Sequence, residues 1–241
     1  RSATWMSFWD ASFHHTRVPA EVVRDMIAMP HRSMRVLDAV VHLPVLRQDG
    51  TAAVGSGYEP TTRLFQAVDP AVSEAVDGAP KVPSAGERVT ALELLRRDLL
   101  GDFPFARQSD RAHVLAAVLL PAVRHWIDGP IPLHLFEAPT EGTGKTLLAE
   151  VITLLATGSP AMPTPLPRSE EEVRKKITAT LLSAPQIVLL DNLGHALDSP
   201  SIAAVLTSEV WTDRILGHSR MVRVPNRALW IATANNPVLS R

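Results

Sequence analysis

Residues 139–146 read Pro-Thr-Glu-Gly-Thr-Gly-Lys-Thr, an order of residue types suited to holding a polyphosphate. Glycines let a chain curl until several N–H groups converge on one anion. A helix opening at that point adds its positive end to the attraction. Lys145 brings mobile positive charge to the β- and γ-phosphates, and Thr146 brings a hydroxyl for Mg²⁺. The pattern is G-x-x-x-x-G-K-[ST], with Pro139 in place of the first glycine. Gly144, Lys145 and Thr146 are in register. The expected binding segment is Pro139, Thr140, Glu141, Gly142, Thr143, Gly144, Lys145, Thr146 and Leu147. The competing reading is a glycine-rich turn with a solvated lysine.

Two further groups of polar residues follow apolar runs. Asp191 and Asn192 come directly after Ile187–Leu190, four consecutive apolar residues. A carboxylate there could hold Mg²⁺ directly or through water, so Thr146 and Asp191 form the expected metal pair. Asn235 and Asn236 follow the run 229–232, and an amide at a strand end can hold a water or touch a γ-phosphate. Asn235 lies nearer the strand and is preferred. Lys145, Asp191, Asn192 and Asn235 are thus the expected catalytic set. Plain Asp-Asn and Asn-Asn-Pro turns are the alternatives.

The elements that must position these residues are visible around them. Ile131–Phe136 suits a buried strand, interrupted only by Pro132 near its start. Leu147–Thr157 suits a helix. The apolar runs at 187–190 and 229–232 suit central parallel strands buried on both faces. Such sheets bind ligands beyond the carboxyl ends of their strands. The expected fold class is therefore α/β, a parallel sheet flanked by helices and preceded by a small β-containing N-terminal region.

Together these motifs resemble the P-loop NTPase core of the AAA+ superfamily. Walker A corresponds to Pro139–Thr146, Walker B to Ile187–Asn192 and sensor 1 to Asn235. The chain resembles more narrowly the ATPase part of primase–helicase-like proteins of phages and mobile elements. The phrases that carry this are HLPVLRQDG at 42–50, GYEPTTRLF at 57–65, APTEGTGKT at 138–146, LLDNLGHALDSPSIAAVLTSEVWTDRILG at 189–217 and RALWIATANNP at 227–237. The broad resemblance covers residues 110–241, and the narrower one adds 36–70. It implies ATP and Mg²⁺ as ligands, ATP hydrolysis, a helicase or loader acting on DNA in replication, and a homo-oligomeric ring, often a hexamer. A regulatory or defence NTPase acting on protein partners is the alternative, as is an ATP-binding module with little hydrolysis. GTP is the alternative nucleotide, although no guanine-reading Asn-Lys-x-Asp run occurs.

The chain departs from the family pattern in two ways. Many relatives carry Asp-Glu in Walker B, where the glutamate polarises the attacking water. Asn192 stands there instead, and a neutral amide cannot accept a proton. Glu209 and Glu141 are candidates for the role, and spacing chooses neither. Slow hydrolysis, or ATP binding as a switch, is the corresponding expectation. The resemblance also implies a further strand, an arginine finger and a helical lid beyond residue 241. The chain thus reads as a segment of a larger protein, with weak turnover on its own.

Composition narrows the remaining classes. The chain has 241 residues, 46% hydrophobic and 20% charged, which is ordinary for a globular chain. It has no cysteine, so neither disulfides nor thiolate zinc sites are available. His14, His15, His31 and His42 show no ligand spacing. No signal peptide opens the sequence, and the apolar stretch Val114–Val123 is too short to span a bilayer and contains Pro121. These features predict a cytoplasmic protein without a membrane partner. A net charge of −1 provides no global field for nucleic acid, so local arginines must supply any contact. Arg32 with Arg35, Arg96 with Arg97, and Arg220 with Arg223 are the candidate patches. Arg220–Arg223 is the best pore candidate, because superfamily members place hairpin insertions between the Walker B helix and the sensor strand.

Punctuation suggests three parts: 1–86, 87–108 and 109–241. Trp5, Phe8, Trp9 and Phe13 are spaced for one helical face. Residues 34–69 read as a small β-rich unit with an Asp-Gly turn. Residues 69–86 read as a linker or long loop, and 87–100 as an amphipathic helix ended by Gly101 and Pro104. Ser109 or Asp110 should cap a helix to about Ile127. The Pro-rich segment 160–167 permits only a short edge strand. Ser169 with Glu172 reads as a capping box, and Ser199 or Ser201 should start a helix to about Val210.

Overall fold

The computed structural model describes residues 6–9, 12–15, 17–29, 35–193, 198–215 and 220–237. Two compact units divide at Leu37 and Asp38. In the first, β1 (Met6–Trp9) pairs antiparallel with β2 (Ser12–His15), and α1 (Ala20–Ala28) follows. This corrects the expected helical face. Phe8 stands opposite Phe13 in the hairpin register, and Trp5 lies outside the described residues. Aromatic residues favour extended backbone, and so short a run has too few turns to sustain a helix.

The second unit opens with the expected β-rich region: β3 (Ala39–Val41), β4 (Val45–Leu46), β5 (Ala52–Ala53), β6 (Ser56–Glu59) and β7 (Leu64–Ala67). β7 pairs parallel with β3 and antiparallel with β6, and β4 and β5 form a hairpin. The turn of that hairpin contains Asp49, whose carboxylate accepts the Thr51 N–H at 2.9 Å. Val41, Val45, Ala53 and Leu64 form its own small core.

The segment expected to be a linker contains a helix, α2 (Pro70–Asp77). The Asp69 carboxylate caps it by accepting the Ala71 N–H at 2.8 Å. Pro70 sits at the first helical position, where its missing N–H would have had no partner. Proline here starts an element rather than breaking one. α3 (Ala85–Glu93) begins at a Ser84–Glu87 capping box and continues as a π-helical turn, Leu94–Leu99.

The remaining elements are α4 (Gln108–Val123), β8 (His134–Ala138), α5 (Lys145–Thr157), β9 (Pro163–Thr164), α6 (Glu170–Leu182), β10 (Ile187–Leu193), α7 (Pro200–Thr207), β11 (Val210–Arg214), β12 (Met221–Pro225) and β13 (Leu229–Asn235). Four boundaries differ from expectation. α4 starts before Ser109, because the Asp110 carboxylate reaches back to the Arg107 N–H at 2.9 Å, and it gives way to a 3₁₀ turn at Arg124–Trp126 rather than running to Ile127. β8 begins at His134, past Pro130 and Pro132, which have no N–H for a ladder. Ser169 caps α6 without a side-chain bond; Glu172 instead pairs with Lys175 at 2.9 Å. α7 ends at Thr207, so Val210 belongs to β11. Glu170 accepts from the Ser199 hydroxyl at 2.8 Å and from the Ser201 N–H at 2.7 Å, tying α6 to the start of α7. The Ser201 hydroxyl leads the causes that hold the Glu170 carboxyl below its ordinary value, ahead of the Ser199 hydroxyl and the Ser201 N–H.

Four strands form an all-parallel sheet in the order β8–β13–β10–β9. Alternation along the strands explains why their sequences are continuously apolar. Val188, Leu190, Trp230 and Ala232 pack with α6 and α7 on one face, whereas Leu189, Leu229 and Ile231 pack with α4 and α5 on the other. Both faces are buried, as a parallel sheet requires. Among the described residues no helix is long and apolar enough to cross a membrane.

Arg124 secures the end of the sheet where its strands begin. Its guanidinium donates to the carbonyls of Ile127 (2.7 Å), Gly129 (3.0 Å), Arg227 (3.1 Å) and Asn226 (3.3 Å). These carbonyls precede β8 and β13. Burial leads the causes that lower the Arg124 pKa. Arg124→Ala is expected to destabilise the fold by about 3 kcal/mol, since hydrogen bonds involving a charged group contribute about 1.5–3 kcal/mol each and do not add fully. Arg124→Lys should recover little of this, because an ammonium cannot fork to four carbonyls. Denaturant melts would measure both, and a wild-type midpoint for Arg124→Ala would refute the role.

Candidate functional site

Alternation also determines which polar residues meet. Asp191 follows Leu189 by two residues, and Thr233 and Asn235 follow Ile231 by two and four. Leu189 and Ile231 face α4 and α5, so these three polar residues extend the same face to the carboxyl edge of the sheet. α5 begins on that side, directly after the glycine-rich loop.

In the loop only Gly142 (φ 72°) and Gly144 (φ 84°) have positive φ, so proline at 139 meets no conformational conflict. Gly144 is the N-cap of α5 and makes no side-chain cap bond. The first-turn N–H groups of α5 therefore have no side chain to satisfy them, the arrangement that receives an anion. The loop is fastened to β13: the Asn236 amide donates to the Pro139 carbonyl at 2.9 Å, and its N–H to the Ala138 carbonyl at 3.3 Å. From the other side the Phe103 ring lies 3.6 Å from where a Cβ on Gly144 would stand.

Lys145, Asn235 and Asn192 form one hydrogen-bonded line. The Lys145 ammonium donates to Asn235 Oδ1 at 2.7 Å, to the Thr140 carbonyl at 3.0 Å and to Thr143 Oγ1 at 3.0 Å. An ammonium can only donate, so the Asn235 oxygen must face it. The Asn235 NH₂ consequently faces Asn192, donating to Oδ1 at 3.3 Å. Asn192 is itself exposed. Along this line the protein offers donors to an anion and no group able to accept a proton.

A second cluster surrounds Asp191. Its Oδ1 accepts from Thr146 Oγ1 at 2.9 Å and from Thr233 Oγ1 at 2.7 Å. Thr233 Oγ1 also accepts the Asn192 N–H at 2.7 Å. Asn192 is left-handed (φ 53°), a conformation asparagine tolerates better than most residues, and the β10–β13 register shifts between Leu190 and Leu193. This bulge carries Asp191 toward α5 and Asn192 toward Asn235.

The sequence-predicted residues Lys145, Thr146, Asp191, Asn192 and Asn235 are therefore brought together, and Thr140 and Thr143 join them through Lys145. Glu141 is exposed in the loop, and Leu147 is exposed on the first turn of α5. Glu209 does not reach the site. Its carbonyl accepts the Asn226 N–H at 2.8 Å, and its charge acts on Arg124. Asn226 precedes the seven-residue β13, so Glu209 lies about 20 Å from Asn235 at the opposite edge of the sheet. It is excluded as the water-polarising group. Sequence reasoning missed Thr233 and Phe103. Thr233 had a signal, because it lies two residues before Asn235 on the same strand face; Phe103 had none.

The donor set suits a magnesium-bound phosphate. A hard cation takes oxygen ligands, and magnesium bound with phosphates needs only one or two from the protein. The Thr146 hydroxyl and Asp191 carboxylate provide two adjacent oxygens. Among the described residues no group of three or more His, Cys, Asp or Glu is placed to hold a metal alone.

Between α7 and β13, β11 and β12 form the hairpin expected around Arg220–Arg223. Trp211 and Asp213 face inward and are buried, with Trp211 donating to Thr178 Oγ1 at 2.9 Å. Thr212 and Arg223 stand opposite each other on the exposed face, and Arg220 is exposed at the start of the returning strand. Arg32 of the first predicted patch, and Gly217 between β11 and β12 in sequence, lie outside the described residues.

No protein-family profile matches the chain, and a search of curated proteins found no match.

Proposed function

We propose that the protein is a Mg²⁺-dependent ATPase with a P-loop core of the AAA+ type. The observation that carries this reading is the convergence of Lys145 on Asn235 and of Thr146 on Asp191, at 2.7 and 2.9 Å, from positions 90 and 45 residues apart. A glycine-rich turn without function would not draw these particular side chains to the carboxyl ends of two adjacent strands. Loop N–H groups and Lys145 bind the phosphates. Thr146 and Asp191 hold the cation, which when bound neutralises phosphate charge. Asn235, held by Lys145, fixes the position of a group beside the γ-phosphate. Asn192 contributes a donor and no base, so turnover is slow unless another subunit or residue supplies the missing group.

The ATPase is further proposed to be the motor of a phage-type or mobile-element helicase or loader, working on DNA as a homo-oligomeric ring. Support comes from the quoted phrases and from the hairpin that presents Arg220 and Arg223. Their planar forks suit phosphate oxygens, and in a ring such edges converge. Two measurements test this. Saturable, Mg²⁺-dependent binding of a fluorescent ATP is expected, with GTP as competitor, and its absence removes the ATPase reading. Single-stranded DNA should stimulate hydrolysis, and the double change Arg220→Ala, Arg223→Ala should lower DNA affinity and reduce the salt slope by about two, one for each arginine that no longer meets a phosphate. An unchanged slope, or stimulation by a protein and not by DNA, favours the regulatory NTPase.

A further inference from the structure

The geometry points to Thr233 as the positioning residue that builds the metal half of this site. The inference rests on the ATPase reading and specifies which buried group makes Asp191 fit to bind a cation. Three observations carry it. Thr233 is only 1% exposed, although it lies near the end of a strand whose next odd-numbered residue, Asn235, reaches the site. Its hydroxyl uses both polarities at once, donating to Asp191 Oδ1 and accepting the Asn192 N–H, each at 2.7 Å. The acceptor bond falls within the interval where the β10–β13 register slips and Asn192 turns left-handed.

The physical consequence is a division of labour. A bulge takes an N–H out of the ladder, and a donor left unpaired where protein partly shields it from water is unfavourable, as it would be for the part-buried Asn192 N–H. The Thr233 hydroxyl satisfies that N–H, so the bulge is stable. Its proton is then committed to Asp191 Oδ1, which also accepts from Thr146. Two donors on one oxygen fix the carboxylate plane, leaving Oδ2 with no bond to either threonine. One hydroxyl thus sets the direction of Asp191 and the backbone that carries Asn192 toward Asn235. It touches neither phosphate nor cation, and its effect runs through Asp191.

The test separates this role from simple packing. Thr233→Val keeps the shape and removes the hydroxyl; Thr233→Ser keeps the hydroxyl and removes the methyl. Binding of a fluorescent ATP is titrated to the 241-residue chain with EDTA present and then across a Mg²⁺ series. Thr233→Val should raise the Mg²⁺ concentration needed for half-maximal enhancement by about tenfold or more, the usual effect of removing a group that orients a metal ligand. Its binding in EDTA should stay within about twofold, because Lys145 and the loop are unaltered. Thr233→Ser should recover most of the Mg²⁺ response. Equal loss of binding with and without Mg²⁺, or failure of serine to rescue, would overturn the inference in favour of packing alone. A wild-type Mg²⁺ response in Thr233→Val would overturn it as well. Failure of the wild-type chain to bind nucleotide at all would instead remove the ATPase reading, so the two failures are distinguishable.

Discussion

Lys145→Ala is expected to weaken ATP binding by about a hundredfold or more. Hydrogen bonds to a charged group contribute about 1.5–3 kcal/mol each, and a tenfold change in affinity corresponds to about 1.4 kcal/mol. In the proposed ATPase, Lys145 would give at least two such bonds to the β- and γ-phosphates. The substitution should leave the fold nearly intact, because the ammonium's present partners, Asn235, Thr143 and the Thr140 carbonyl, are at or near the surface. Lys145→Arg should also bind poorly, since a broad planar fork replaces a compact point charge in a tight turn. Titration with a fluorescent ATP measures the affinities, and thermal melting confirms folding. Near-wild-type affinity in a folded Lys145→Ala protein would show that the loop is a glycine-rich turn and nothing more.

Motif spacing made most of this site legible before the fold was known. The residues of the glycine-rich loop lie close together in sequence, and Asp191 and Asn235 each follow a run that suits a buried strand. Strand order was not legible. Nothing in the composition of β13 says that it inserts between β8 and β10, yet that insertion lets Asn235 meet both Lys145 and Asn192. Thr233 was legible in principle through the period of two but was passed over, because threonine in a strand usually reflects β propensity. The left-handed Asn192 was hidden because a bulge depends on the partner strand. Outside the core, spacing misled: aromatic residues at intervals of three and four belong partly to a hairpin, and proline at 70 begins a helix within a segment expected to be a loop. In both places a short stretch fits two periods, and its neighbours decide between them.

Asn192→Glu is expected to speed the chemical step, and the size of the gain says what limits the natural protein. In the Lys145–Asn235–Asn192 line the ammonium donates to Asn235 Oδ1 and the Asn235 NH₂ donates to Asn192 Oδ1, and neither the ammonium nor the two amides can accept a proton. Such a site can bind an anion firmly and still lack an acceptor for the proton of an attacking water. A positioned carboxylate typically contributes about 10²–10⁴ in rate as a general base. Glutamate at 192 must take the left-handed conformation observed there, which costs about 1–2 kcal/mol for an ordinary L residue and should appear as a lower melting temperature. Lost stability with gained rate is thus the expected signature. Single-turnover hydrolysis with protein in excess reads the chemical step without product release, and the variant should exceed wild type by about a hundredfold, the low end of that range. Asn192→Ala should bind ATP normally and remain slow. If Asn192→Glu folds, binds ATP and gains nothing, proton acceptance is not the missing function. A gain from glutamate alone would mean that the natural asparagine holds the site in a binding-competent, slow-turnover form, which favours ATP occupancy over rapid cycling as the event the protein uses.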